Sequence, residues 1–215
     1  MKKIIFYGGT GQAKVMRPIA DKIGKLVAVL DDTPNLPAPF DDVELHSGPE
    51  CFEEWYSGRD LDGYYFSITI GNPHSGVRQH KAAFLEKRGL NPISLIHESA
   101  IIDSTVELGR GVQIHAGVIV SPCAKIGDFC ILNTRSVVEH DCILNDAVEV
   151  GPGAVLCGNV TAQAGAWIGA SSVVRQKINI GAHTIIGAGA VVVKDIAAHQ
   201  IVVGTPARPL RKEVL

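Results

Sequence analysis

From Ile102 to Val192 the chain repeats with a period of six residues and carries no insertion. An aliphatic residue stands at Ile102, Leu108, Ile114, Val120, Ile126, Leu132, Val138, Leu144, Val150, Leu156, Ala162, Ile168, Val174, Ile180, Ile186 and Val192. Fifteen of these sixteen are Ile, Leu or Val, and those types fill only 29 of the 91 positions, so a chance register holds about five. Four residues after each aliphatic position come small or β-branched residues such as Val112, Ala124, Cys130, Ser136, Cys142 and Ala154. Such residues suit the inside of a narrow prism. This is a hexapeptide repeat, the signature of a parallel β-helix. Three hexapeptides form one triangular coil of about 18 residues, so the segment holds about five coils stacked at roughly 4.8 Å. The residue just after the aliphatic one is often Gly or Asn, as at Gly109, Gly127, Asn133 and Gly151. Positive φ at the corners is therefore expected there.

The first hundred residues follow other rules. Lys2-Lys3-Ile4-Ile5-Phe6-Tyr7 reads as a buried strand, Gly8-Gly9-Thr10-Gly11 as a tight turn, and residues 12–23 as a helix. A second strand, Leu26-Val27-Ala28-Val29-Leu30, ends on Asp31-Asp32. Strand, glycine turn, helix, strand and terminal acid make the opening of a Rossmann-like βαβ unit. A helix at 49–57, a strand at 64–70 and a helix at 75–88 follow, with Pro34, Pro37 and Pro39 marking a loop between. The expected division is a Rossmann-like domain over 1–96 and a β-helix domain with its tail over 97–215.

The glycine turn has two readings. Its bare backbone lets N–H groups at a helix start approach a phosphate, with Asp31 or Asp32 accepting from a ribose or base. Any strand-to-helix turn this tight also wants glycine for packing alone. Gly9-Thr10-Gly11 is followed by Gln12, Ala13 and Lys14, so the third glycine of a dinucleotide fingerprint is missing. That argues for a nucleoside diphosphate over a nicotinamide cofactor, with Lys14 or Arg17 to neutralise it. Gly71-Asn72, just after a strand, is placed to line the same crevice.

Composition bounds the rest. A chain that is 46% hydrophobic and 20% charged, with a net charge of −2, buries a sizeable core and offers no bulk attraction for nucleic acid or an anionic membrane. No run approaches the roughly 18 apolar residues of a membrane span, and the cytoplasm is the expected location. The five cysteines include no C-x-x-C pair; Cys130 and Cys142 fall in inward repeat slots and read as packing, not as metal or disulfide partners. His115, His140 and His183 share no 18-residue register, so no metal site is expected within one chain.

His140 stands apart among the repeats. It lies two places after Val138, at a corner and facing out, with Glu139 and Asp141 on either side. One coil away lie Pro122 and Gly158, and the missing side chain at Gly158 opens a slot beside the ring. A base beside an open slot and a backbone donor suits acyl transfer; a solvated corner histidine is the plainer reading.

The pairing of Gly8-Gly9-Thr10-Gly11 with Glu139-His140-Asp141-Cys142 comes together with the repeats and the ending Val203-Gly204-Thr205-Pro206-Ala207-Arg208. That combination resembles the bacterial sugar acetyltransferases of the left-handed β-helix superfamily. Within them it resembles the branch of nucleotide-amino-sugar N-acetyltransferases of the bacillosamine and perosamine pathways and sialic acid O-acetyltransferases. The resemblance spans nearly the whole chain. It implies a left-handed coil, acetyl-CoA as co-substrate with no metal, and a homotrimer whose acetyl-CoA lies in a groove between neighbouring rods. It implies that His140 is the general base and that Asp141 raises its basicity. Cys157, Gly158, Ala170 and Ala188 match positions that offer acetyl-CoA backbone contacts, with the oxyanion donor near Gly158. Thr10, Gly11 and Gln12, with Asp31 and Asp32, match the nucleotide-sugar site beside Gly9. Two departures stand out: Gln12-Ala13 replaces the family's frequent Gly-x-Gly-His-Gly continuation, and Glu149 stands where many relatives carry a second histidine near the acyl donor. Glu149 either accepts from the amine or pantetheine amide or rests on the surface. The implied activity is N-acetylation of a UDP- or GDP-linked 4-amino-4,6-dideoxyhexose by direct attack. Sugar O-acetylation and a non-catalytic scaffold are the rivals, and an acyl-Cys157 route lacks a separate base.

Overall fold

The protein is described by a computed structural model covering residues 1–71 and 74–210. It divides into two compact units, Met1–Leu95 and Ile96–Leu215.

The first unit is a five-stranded sheet in the order β3-β2-β1-β4-β5, built from β1 (Lys2–Tyr7), β2 (Gly24–Asp31), β3 (Glu44–Ser47), β4 (Tyr64–Ile68) and β5 (Asn91–Pro92). All its ladders are parallel. The central strand is buried through Ile4, Ile5 and Phe6, as an unbroken apolar run predicts for a strand covered on both faces. Helix α1 (Gly11–Ile23) buries Ala13, Met16, Ile19 and Ala20, one stripe at helical spacing. Two more helices, α2 (Cys51–Tyr56) and α3 (Ser75–Glu86), complete the doubly wound pattern. The chain order reverses between β1 and β4, so the glycine turn after β1 opens at the crevice where such sheets bind ligands. Strands β3 and β5 were not expected. Both lie at sheet edges and are four and two residues long, too short to show a period.

The second unit is the left-handed β-helix. Two-residue strands stack into three parallel sheets, and each pairs with the strand 18 residues on: Val120 with Val138, Ile126 with Leu144, Leu132 with Val150. Face 1 holds the strands at 101–102, 119–120, 137–138, 155–156, 173–174 and 191–192; face 2 runs from 107–108 to 179–180; face 3 carries 113–114, 131–132, 149–150, 167–168 and 185–186. The aliphatic and small positions fill the prism, with Ile114, Leu132, Val138, Val150 and Leu156 fully buried beside Ala124, Cys130, Cys142 and Ala154. One inward hydroxyl, Ser136 Oγ, is buried without a hydrogen-bond partner among the described residues, whereas Ser172 and Thr184 donate to backbone carbonyls.

The corners correct the sequence reading. Positive φ falls on the third residue after the aliphatic position, at Cys123, Phe129, Arg135, Asp141, Asn159 and Ser171 among others, not on the first. The first-position glycines serve close approach instead. A Cβ on Gly127 would lie 2.7 Å from Asp146 N, and one on Gly169 2.7 Å from Ala188 N. The backbone of the next coil passes where a side chain would start. Near the end the step shortens: Ile185 pairs with Ile201 and Ile180 with Ile196, after which 208–209 returns antiparallel along 202–203.

Candidate active site

His140 projects from the corner joining faces 1 and 2. Its Nδ1 lies 2.8 Å from Asp141 Oδ2. A carboxylate only accepts, so Nδ1 carries the hydrogen, and in the neutral ring the lone pair is on Nε2. Asp141 holds φ +57°, a conformation short polar side chains tolerate, and this turns its carboxylate back towards the ring. The neighbouring Glu139 is engaged elsewhere, accepting from Ser121 Oγ at 3.2 Å. The coil register carries the chain from His140 directly to Gly158: Asn159 N donates to His140 O at 2.9 Å. The imidazole lies against Gly158, where a Cβ would come within 2.5 Å of both Cε1 and Nε2. The slot that the glycine leaves is therefore filled by the histidine ring itself. Gly158 is buried, and its amide donates to no acceptor among the described residues. An imidazole with a carboxylate partner and a backbone amide one coil on share this corner, an arrangement compatible with acyl transfer.

The other positions that the resemblance assigns to acetyl-CoA divide between two edges. Cys157, half-buried, precedes Gly158 on the His140 corner, and its carbonyl accepts from Cys142 Sγ at 3.2 Å. Ala170 and Ala188 occupy the corner joining faces 3 and 1, so within one chain all of face 1 separates them from His140. Glu149 projects from face 3 and is buried, with Asn133 Nδ2 3.2 Å from Oε1; the surface alternative for this residue is set aside. Among the described residues no group of three metal-ligating side chains gathers.

In the first unit the turn glycines separate by cause. Gly8 has φ +112° and a Cβ there would lie 2.5 Å from the Thr69 carbonyl oxygen, so the fold requires it, whereas a Cβ on Gly9 would meet only the movable end of Leu36, 2.7 Å from Cδ2. Gly11, at the start of α1, faces open space, and packing does not account for it. Thr10 is exposed at the N-cap without a side-chain capping bond, and Gln12 is half-buried. Asp31 is committed to the turn, its Oδ2 accepting from Gly9 N at 2.7 Å and its Oδ1 from Thr33 N at 2.9 Å. Arg17, expected as a free phosphate partner, instead pairs with Asp21 and Asp42 at 2.7 and 2.8 Å, since both acids lie within its reach. Gly71 is half-buried in the loop after β4, beside Ile70, whose carbonyl accepts from the buried Arg78 at 2.8 Å. Asn72 lies outside the described residues. Three residues that the sequence did not single out, Tyr7, Cys51 and Lys81, surround Asp32. They come from three separate elements, and no local motif links them.

No protein-family model matches the chain. Among curated proteins it is similar to the GDP-perosamine N-acetyltransferase of Escherichia coli O157:H7, 35% identical over 154 residues, 69% of this chain and 68% of that one. The chain belongs to the left-handed β-helix sugar acetyltransferases, in the branch of the nucleotide-amino-sugar N-acetyltransferases. Among solved structures the family member from Caulobacter crescentus, a histidine-to-alanine variant of GDP-perosamine N-acetyltransferase with CoA and GDP-perosamine, aligns with a TM-score of 0.88 at 30% identity, covering 99% of this chain and 98% of that one. The acetyltransferase domain of PglB from Neisseria gonorrhoeae FA1090, in complex with acetyl coenzyme A, aligns at 0.85 and 26% identity over 97% and 99%. This acetyltransferase is thus an enzyme, and the rod is not a bare scaffold. No described helix is long and apolar enough to cross a membrane.

Proposed function

We propose that this acetyltransferase moves the acetyl group of acetyl-CoA onto the amine of a nucleotide-linked amino sugar, with His140 as general base. The observation that carries the reading is the His140 Nδ1 to Asp141 contact of 2.8 Å with the ring seated on Gly158. Asp141 holds the tautomer whose Nε2 accepts. The neutral amine attacks the thioester carbonyl, and Nε2 takes its proton as the C–N bond forms. The Gly158 amide donates to the developing oxyanion. The C–S bond then breaks, and the CoA thiolate receives the proton from His140. The relatives that act on or bind GDP-perosamine support a nucleotide-linked amino sugar as acceptor, and the open face of Gly11 supports the turn at Gly9, Thr10, Gly11 and Gln12 as its diphosphate site.

The same reading makes the enzyme a homotrimer. Outward positions on face 1 are Ile101, Ile119, Val137, Val155, Val173 and Val191, a wholly apolar column, with Ile101 66% exposed. Such a stripe is an interface signature. Packing copies along it about a threefold axis brings the His140 corner of one copy to the Ala170 and Ala188 corner of the next.

The test of the chemistry is thiol release from acetyl-CoA with a panel of UDP- and GDP-linked 4-amino sugars. Release that depends on the acceptor and is lost in His140→Ala supports the assignment; no release with any acceptor overturns it. The test of the shared site is co-expression of His140→Ala with Ala188→Arg. Each is inactive alone, and random mixed trimers regain about a quarter of the sites if the halves come from different copies. No recovery places the site within one copy.

A further inference from the structure

Side chains from three elements converge on Asp32, just after β2. The Tyr7 hydroxyl at the end of β1 donates to Asp32 Oδ1, Lys81 Nζ from α3 lies 2.6 Å from Oδ2, and Cys51 Sγ at the start of α2 is 3.8 Å from Oδ1. Lys81 also donates to the Tyr7 oxygen at 2.9 Å and lies 4.7 Å over the Tyr7 ring. The acid beside it, Asp31, is turned away to bind Gly9 N and Thr33 N. The pair is asymmetric: the lysine side chain is 16% exposed and the aspartate 45%. A shielded cation stands behind a carboxylate whose remaining lone pairs face solvent, next to the glycine turn. An ion pair this open on its acid side adds little to stability. Holding an acceptor charged and fixed is what the arrangement accomplishes. Burial pushes the Asp32 carboxyl up, and the bonds from Lys81 and Tyr7 outweigh it, leaving it below its ordinary value. Burial, with the bond to Asp32, keeps the Tyr7 hydroxyl protonated as a permanent donor.

We propose that Lys81 is a positioning residue for the nucleotide half of the substrate: it orients the Asp32 carboxylate so that its free lone pairs accept from ribose hydroxyls or a base N–H. This rests on the glycine turn being the nucleotide site. A carboxylate held by a cation loses no orientation on binding, so its charge-assisted bonds form at full strength.

The experiment is calorimetric titration of the full chain with GDP and with UDP, beside steady-state kinetics, for wild type, Lys81→Met and Lys81→Arg. Lys81→Met keeps the aliphatic stem over Tyr7. It is expected to weaken nucleotide binding about tenfold and raise the nucleotide-sugar KM equally, while kcat and the acetyl-CoA KM stay put. Across the acid range its residual binding should weaken at a higher pH than that of wild type, because Asp32 then lacks the cation that holds its carboxyl low, while Tyr7 and the Cys51 thiol stay neutral. Lys81→Arg should restore most of the affinity. Lys81→Met that binds nucleotide like wild type across that range, with only a lower melting temperature, overturns the inference and makes Lys81 a structural tie. Wild type that binds neither nucleotide overturns the glycine-turn reading and the inference together.

Discussion

Replacing Gly158 by alanine isolates the contact on which the proposed chemistry depends. The backbone at Gly158 is outside the left-handed region, so alanine meets no φ penalty there. Its Cβ would, however, fall 2.5 Å from His140 Cε1 and Nε2 and 3.1 Å from Cδ2. Ordinary carbon contacts begin at about 3.5 Å, so the ring must withdraw by about 1 Å. The His140 side chain is 58% exposed and free to swing outwards, so the fold should lose less than about 1 kcal/mol. The chemistry should lose more, because displacing a reacting group by about 1 Å costs on the order of 100-fold, or about 2.7 kcal/mol in the barrier. Thiol release from acetyl-CoA at saturating acceptor reads that loss in kcat, and a melting curve reads the fold. Gly127→Ala is the matched control. Its Cβ meets fixed backbone, 2.7 Å from Asp146 N on a different corner, so it should lower the melting temperature and spare kcat per folded molecule. A Gly158→Ala enzyme with kcat within about threefold of wild type refutes the claim that the seated ring is the base.

Asp141→Asn keeps a residue tolerant of φ +57° but removes the charge facing the imidazolium; melting should be unchanged and kcat should fall about 10- to 100-fold, as thiol release would show. Ser136→Ala deletes the buried hydroxyl that has no partner and should raise stability by about 1 kcal/mol in urea titration; a loss of that size would mean the hydroxyl is satisfied in solution. His115 is buried, and burial, with His97 beside it, pushes its imidazole down from 6.5 to about 4. Between those values the unfolded chain binds a proton that the folded one refuses, so stability falls as pH drops from about 6.5 to about 4, by up to roughly 3 kcal/mol. Urea midpoints at several pH values should show this slope, and His115→Gln should flatten it.

The rod was legible because a β-helix writes its geometry into one dimension: every inward position recurs at a fixed step, and stepping by 18 is enough to bring Gly158 under His140. The corner chemistry was less so. A small residue one place after the strand signals either a left-handed turn or a close backbone, and only the positions of Gly127 and Gly169 against the next coil decide for the second. In the first unit the strand, turn and helix around Gly8 and Gly11 are contiguous and readable, whereas β3 and β5 are too short to carry a period. The neighbours of Asp32 were hidden for a different reason. Tyr7, Cys51 and Lys81 are brought together by sheet order alone, and sheet order is a long-range property. Of the two acids that hold Arg17, Asp21 lies at helical spacing and was legible, whereas Asp42 lies beyond the proline loop, where spacing says nothing about distance.

In the proposed shared site the chemistry is divided across two corners, and the regularity of the repeat is what would let those corners meet. A rod built on one period presents each corner as a straight edge, and two such edges can run side by side without local adjustment. His140 and Gly158 mark one edge; Ala170 and Ala188 mark another; the apolar column of face 1 lies between them. Ala170 and Ala188 carry only a methyl group, so a long thin substrate laid between the edges would pass close to the backbone on that side. Lengthening one of these side chains would block the groove without touching the base, whereas a charge on the face 1 column, as in Val155→Asp, would separate the edges and leave each copy folded. If the proposed trimer forms the groove, assembly and groove are the same requirement, and a variant that abolishes association should abolish turnover in equal measure.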